Sequence, residues 1–117
     1  MTGRVVHVAD KVPGAIYIGR RMNRQRLKAS PFANPYHILP GIAAREDVIV
    51  AYADYLRQSP HLIAMLPELR GLPLACWCRH DGQSYSLDTA CHGDVLLAIL
   101  SDTTDDELRA QAEEGAA

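Results

Sequence analysis

Several features that would place the chain in a special class of protein are missing. Three cysteines in 117 residues are too few for a disulfide scaffold, and an odd number suggests metal ligation, thiol chemistry or burial. No apolar run reaches the roughly 18 residues that a transmembrane helix needs, and the amino-terminal segment lacks the pattern of a secretory signal. We therefore expect a cytoplasmic protein without a membrane partner.

Patterns that mark common nucleotide-binding folds are also missing. The glycines form neither the phosphate loop nor the dinucleotide-binding motif, so binding of a nucleotide by those routes is unsupported. The chain has no internal repeats. Its length suits one domain, and 48% hydrophobic and 22% charged residues are typical of a globular protein.

Charge is distributed unevenly along the chain. Six of the 14 acidic residues lie among the last sixteen positions, which contain only one basic residue, Arg109. Residues 1–101 therefore hold 8 acidic and 11 basic residues. Five of these bases lie within nine residues: Arg20, Arg21, Arg24, Arg26 and Lys28. Such a cluster attracts phosphate or nucleic acid, although a solvated loop would explain it equally well.

Alternating strand and helix patterns predict an α/β fold, in which one compact domain has a small sheet flanked by helices. We expect this domain at residues 1–101, followed by an acidic tail at 102–117 that forms a short helix or frays. The predicted strands are residues 4–8, 15–18 and 72–78. The predicted helices are residues 44–58, 61–70 with an interruption at Pro67, and 95–100. The proline-rich loop from 20 to 41 is long enough to suggest a functional role.

The three cysteines lie where a strand meets the following helix. Cys76 and Cys78 flank Trp77, so on a strand both sulfurs would project from one face while the indole packs into the other. Cys91 stands at the start of the next helix, which would return near the carboxyl end of that strand. We therefore expect the three sulfurs to converge.

With His92, the cysteines form a Cys3His set of the kind that binds tetrahedral zinc. Four protein ligands would close the site, so zinc would be structural. The spacing differs from a zinc knuckle, however, and the adjacent residues Cys91 and His92 do not easily reach the same ion.

Two other interpretations of the cysteines remain open. In one, Cys91 is a nucleophile whose pKa is lowered at a helix N-terminus, where His92 exchanges its proton, Gly93 allows close backbone approach, and Asp94 orients a base or binds a ribose hydroxyl. In the other, the cysteines are small core residues and His92 is a capping or surface residue.

Several motifs together resemble the domain of unknown function 4326 family, small proteins from bacteria and their phages. These motifs are Tyr17-Ile18-Gly19-Arg20, Ser30-Pro31-Phe32-Ala33-Asn34-Pro35-Tyr36, Arg45, Tyr52, Leu69-Arg70-Gly71, Cys76-Trp77-Cys78 and Cys91-His92-Gly93-Asp94-Val95-Leu96. The resemblance spans about residues 4–100 and leaves out the acidic tail. Two departures are Tyr36, where the family usually has phenylalanine, and a longer loop between Cys78 and Cys91.

The resemblance implies one shared cleft but no particular reaction. Its expected members are Tyr17, Arg20, Asn34, Pro35, Cys76, Cys78, Cys91, His92 and Asp94. From the sequence we predict binding, with hydrolysis or group transfer as the enzymatic option, of a phosphate-bearing ligand such as a nucleotide or nucleic-acid fragment.

The residues predicted to serve this function fall into two groups. Ligand binding is assigned to Tyr17, Arg20, Arg21, Asn34 and Gly93, and chemistry to Cys91 or Asp94. The alternative is an adaptor that is stabilised by zinc on Cys76, Cys78, Cys91 and His92 and binds protein or DNA without turnover.

Overall fold

A three-stranded parallel sheet lies at the centre of the fold. The computed structural model describes residues 3–36, 44–83 and 90–116. The strands are β1 (Arg4–His7), β2 (Ile16–Tyr17) and β3 (Pro73–Cys76). They follow the order β1-β3-β2, so β3 is the central strand. All three carboxyl ends consequently lie at one edge of the sheet.

Within the described ranges, four α-helices accompany the sheet: α1 (Arg45–Arg57), α2 (Pro60–Met65), α3 (His92–Asp102) and α4 (Asp105–Ala116). A 3-10 helix, Leu66–Leu69, continues directly from α2. Helix α3 packs against β1 and α1, while α4 packs against α2. The predicted α/β fold with a small sheet and flanking helices is confirmed.

The most consequential differences between the predicted and the observed element boundaries lie at two places. The third strand ends at Cys76, two residues before the predicted end, so Trp77 and Cys78 lie beyond the sheet. The second helix gives way to the 3-10 helix at Leu66, because Pro67 has no N–H to donate and its ring clashes with the carbonyl of Ile63 in an α-helix.

The core holds α1 and α3 firmly against the sheet. Leu74 and Leu96 are completely buried, as is Tyr52, whose hydroxyl donates to the Phe32 carbonyl at 2.7 Å. A β-carbon at Gly93 would lie 2.8 Å from Ile18 Cδ1, so glycine allows the first turn of α3 to approach the sheet closely. This approach fixes the position of the preceding helix N-cap, Cys91.

The acidic carboxyl-terminal segment forms helix α4. Thr104 and Glu107 make reciprocal capping bonds, with the Glu107 amide donating to Thr104 Oγ1 at 3.2 Å. Leu108 is fully buried and Ala112 nearly so. Within the described residues, no helix is long and apolar enough to cross a membrane.

Candidate metal centre and cleft

The sulfurs of Cys76, Cys78 and Cys91 converge, as the sequence predicts. All three lie within 4.8 Å of one another, and the Sγ atoms of Cys76 and Cys91 are 3.0 Å apart. The latter distance is well beyond the about 2.05 Å of a disulfide bond, and all three cysteines are free. The arrangement can hold one metal ion.

Cys76 and Cys91 are positioned by two different elements of the fold. Cys76 is the last residue of the central strand, and its sulfur accepts a hydrogen bond from the Cys78 amide at 3.5 Å. Cys91 is the N-cap residue of α3, and its sulfur accepts from the Gly93 amide at 3.4 Å. The edge of the sheet and the start of a helix therefore bring the sulfurs together.

Hydrogen bonds among the cysteines shift their pKa values in opposite directions. Bonds from the Cys76 and Cys91 thiols, with a smaller contribution from the Arg45 guanidinium, lower the pKa of Cys78. The same sharing of protons raises the pKa of Cys91 and, helped by burial, that of Cys76. A metal ion would have to displace the protons that Cys76 and Cys91 hold, because thiolates are the ligands.

His92 lies next to this group without belonging to it. Its Nε2 donates to the Ile18 carbonyl at 2.7 Å, so the neutral ring carries its lone pair on Nδ1, which is 3.7 Å from Cys91 Sγ. Burial lowers the pKa of His92 and keeps the ring neutral. Among the described residues, the group of mutually close ligand atoms contains only the three cysteines. His37, another histidine in the proline-rich loop, lies outside the described residues.

A cleft of about 350 Å³ opens above the three sulfurs. It lies at the carboxyl ends of β2 and β3, where ligands commonly bind parallel sheets, and the first residues of α1 and α3 border it. Its main polar and aromatic lining residues are Tyr17, Arg20, Asn34, Tyr36, Arg45, Trp77 and His92, besides the three cysteines.

Trp77 forms one wall of the cleft, and the prediction that its indole packs into the core is wrong. The side chain is 40% exposed, because the strand ends at Cys76 and the alternation of faces stops there. Its Nε1 donates to the Tyr17 hydroxyl at 3.1 Å, and that hydroxyl donates to the Arg20 carbonyl at 2.5 Å. These bonds hold both rings in place.

Hydrogen bonds of Arg20 and Asn34 hold the segment from Asn34 to Tyr36 in place beside the cleft. Arg20 donates from Nε to the Asn34 carbonyl at 3.1 Å and from a terminal nitrogen to the Tyr36 carbonyl at 2.5 Å. The Asn34 side chain donates to the Val48 carbonyl at 3.1 Å and accepts from the Tyr36 amide at 2.9 Å. Both residues line the cleft, yet much of their hydrogen-bonding capacity is already used in holding the loop.

Three of the predicted site residues lie outside the cleft lining. Arg21 bonds to the Asn23 side chain at 2.9 Å, and the Gly93 amide faces the Cys91 sulfur. The Asp94 carboxylate accepts two bonds from Arg79, at 2.6 and 2.9 Å, and one from the Cys91 amide at 2.9 Å. The geometry of Asp94 therefore favours a positioning role over a chemical one.

The geometry also bears on the choice of reactive thiol. Cys91 is only 1% exposed, whereas Cys78 is partly exposed and its pKa is lowered. If any of the three acts as a nucleophile, these properties favour Cys78 over Cys91.

Among the lining residues that were not predicted as site residues, Trp77 and Arg45 matter most. Trp77 was assigned to the core. Arg45 is the first residue of α1, where the helix dipole disfavours a cation, and this unfavourable position was a signal of another role. Its guanidinium donates to the Ala90 carbonyl at 3.0 Å and faces Cys78.

The family described as Domain of unknown function (DUF4326) matches residues 5–102. The chain belongs to this family. The DUF4326 match includes every residue of the metal centre and the described cleft, and it ends at the last residue of α3, before α4. No curated protein and no solved structure matches the chain.

Proposed function

We propose that this DUF4326 protein binds one zinc ion through Cys76, Cys78 and Cys91. We further propose that the cleft above the ion binds a phosphate-bearing ligand, and that this ligand is a nucleotide. The observation that carries the proposal is the convergence of three sulfurs within 4.8 Å on the lining of one cleft. Sulfurs bound to a single tetrahedral zinc at about 2.3 Å would be about 3.8 Å apart. Cys76 and Cys91, whose sulfurs are 3.0 Å apart, would therefore have to separate slightly to bind the ion.

Three protein ligands leave the fourth position of a tetrahedral zinc ion without a protein ligand, and this position would face the cleft. Zinc sites with three protein ligands and an open position are typical of catalysis, whereas closed four-ligand sites are structural. When bound, such an ion would polarise a ligand oxygen or activate a water molecule, which suits hydrolysis or group transfer. For the alternative, a closed adaptor site, His92 would have to provide the fourth ligand through Nδ1, because its Nε2 is engaged with Ile18. Among the described residues, His92 is not part of the group of ligand atoms that lie within 4.8 Å of one another.

The surroundings of the sulfurs favour an anionic ligand with an aromatic part. Arg20 and Arg45 supply positive charge, and the amino termini of α1 and α3 border the cleft. Trp77 and Tyr36 line the cleft and are exposed, so they offer aromatic surface on which a base can stack. We place the protein in the cytoplasm, because thiols remain free in a reducing compartment.

Metal analysis of protein purified without added metal tests the zinc centre. We expect about one zinc per chain, a lower melting temperature after chelation, and loss of the metal in Cys78→Ser. His92→Gln separates the two forms of the site: retained zinc supports the open site, while loss of zinc with preserved folding would favour the closed adaptor. Metal-free protein would contradict the proposal.

A panel of nucleotides, scanned for shifts in melting temperature, tests the ligand. We expect stabilisation by at least one nucleotide and loss of that shift in Arg45→Gln, because Arg45 lines the cleft. Arg57→Gln is the matched control, since Arg57 lies at the other end of α1 in an exposed pair with Asp54. No shift with any nucleotide, in protein that holds zinc, would refute the ligand assignment and leave the metal centre intact.

A further inference from the structure

A long stretch of the amino-acid sequence is free of negative charge. Residues 11–45 contain seven basic residues and no acidic one. Residues 20–28, which we call the basic loop, form a hairpin-like structure at the cleft rim. The Ser30 amide donates to the Gly19 carbonyl at 3.0 Å, and the backbones of Met22 and Leu27 bond to each other at 2.9 and 3.0 Å. The loop is therefore held in a definite shape.

Cations at the tip of the basic loop remain available to an outside partner. Arg20 and Arg21 use their guanidinium groups within the loop region. Arg24, Arg26 and Lys28 are exposed, and no side-chain hydrogen bond or ion pair joins them to any residue in the described ranges. Unpaired cations on a loop whose backbone is held in a definite shape attract successive phosphates more strongly than they attract a single one.

The basic loop and the aromatic wall of the cleft adjoin each other. Gly19, Arg20 and Met22, at the base of the loop, line the same cleft as Trp77 and Tyr36. Trp77 and Tyr36 are 40% and 43% exposed, and the indole is held by its bond to Tyr17. A fixed, exposed indole beside a basic track is the combination used to bind single-stranded nucleic acid, in which bases stack on aromatic rings.

We propose that the ligand of the cleft belongs to a single strand of nucleic acid, with one base against Trp77 and neighbouring phosphates on Arg24 and Lys28. This inference rests on the proposed binding of a nucleotide in the cleft. It specifies that the nucleotide is part of a nucleic-acid strand. The cleft, at about 350 Å³, suits a single base with its sugar. A duplex would not satisfy the site, because its bases are already stacked and paired.

Fluorescence anisotropy with a labelled oligonucleotide of about ten residues tests the proposal. The zinc-loaded protein is titrated with the oligonucleotide as single-stranded DNA, as single-stranded RNA and as a DNA duplex, with the mononucleotide as competitor. We expect at least one single strand to bind about tenfold or more tightly than both the duplex and the mononucleotide, and binding to weaken as salt is raised.

Two variants separate the phosphate contacts from the stacking contact. Arg24→Gln with Lys28→Gln should reduce the slope of log affinity against log salt by about 1.4, since each phosphate contact to a single strand contributes about 0.7. Trp77→Ala should weaken binding by about 5- to 150-fold with the slope unchanged, and Trp77→Phe should restore part of the loss. Arg26 is left intact because its φ of 57° makes the loop sensitive to substitution there.

The control is Arg57→Gln with Arg109→Gln, which removes the same charge from exposed ion pairs on α1 and α4. An unchanged salt slope in the loop variant, or the same reduction in the control, would overturn the assignment of the phosphates to the basic loop. Equal affinity for strand and mononucleotide would overturn the single-strand proposal while nucleotide binding stands. Salt-dependent strand binding by protein that is purified without metal would support the basic loop, while the absence of metal from that protein would refute the zinc centre.

Discussion

The ion pair between Arg79 and Asp94 connects the metal centre to the stability of the fold. Asp94 occupies the first turn of α3, and its carboxylate both pairs with Arg79 and accepts from the amide of Cys91. The side chains of Arg79 and Asp94 are 9% and 23% exposed. Asp94→Asn keeps the shape of the side chain but removes the charge that balances the buried guanidinium.

Removing one partner of a buried ion pair costs about 3–5 kcal/mol. The substituted amide would keep one acceptor oxygen, and Arg79 makes a further interaction, so we expect the low end of this range, about 3 kcal/mol. For a domain of this size, such a loss lowers the melting temperature by about 10 °C or more. Urea unfolding, monitored by circular dichroism on zinc-loaded protein, measures the free energy directly.

Asp54→Asn is the matched control for this experiment. Asp54 pairs with Arg57 at 2.8 Å, but the two side chains are 60% and 74% exposed, so the expected loss is at most about 0.5 kcal/mol. If Asp94→Asn were as mild as Asp54→Asn, the pair would be exchanging with solvent and the positioning role of Asp94 would be refuted. A double-mutant cycle with Arg79→Met would then show no coupling.

Three further predictions concern the cleft wall, the last helix and the end of β1. Gly19→Ala should displace the Tyr17 ring, because the new β-carbon would lie 2.5 Å from the Tyr17 hydroxyl. We expect weaker nucleotide binding with unchanged zinc content, and unchanged nucleotide binding would refute this prediction. Leu108→Ala should destabilise the protein by about 2–5 kcal/mol in urea unfolding, since Leu108 is fully buried; a loss below about 1 kcal/mol would mean that α4 contributes little to the core. The hydrogen bond from His80, followed by that of the Asp81 amide, lowers the pKa of Asp10 from 3.8 to about 2. The carboxylate therefore stabilises the fold above pH 3.8, so the stability difference between wild type and Asp10→Asn should shrink as the pH falls from 3.8 through 2; a difference independent of pH would contradict this.

The parts of the fold that repeat a simple pattern were predictable from sequence. Helix α1 follows from apolar Val48, Tyr52 and Leu56 on one face, and these three are the residues that the helix buries. The capping box at Thr104 and Glu107 correctly marked the start of α4. Convergence of Cys76 and Cys91 followed from the way a parallel strand connects to its next helix.

Other features depended on tertiary contacts that a pattern does not record. Trp77 was assigned to the core by alternation along a strand, but the strand stops one residue earlier. Gly93 was interpreted as a place for phosphate to approach, whereas Ile18 and Val5 occupy the space beside it. Asp94 was a candidate for chemistry until its partner Arg79, distant from it in the sequence, was located.

X-ray absorption at the zinc edge, on protein purified without added metal, tests the metal centre most directly. The proposed open site predicts about one zinc per chain, with three sulfur neighbours at about 2.3 Å and one lighter neighbour. The number of sulfur neighbours should stay the same in His92→Gln. Protein without zinc, or zinc with fewer than three sulfur neighbours, would contradict the central claim.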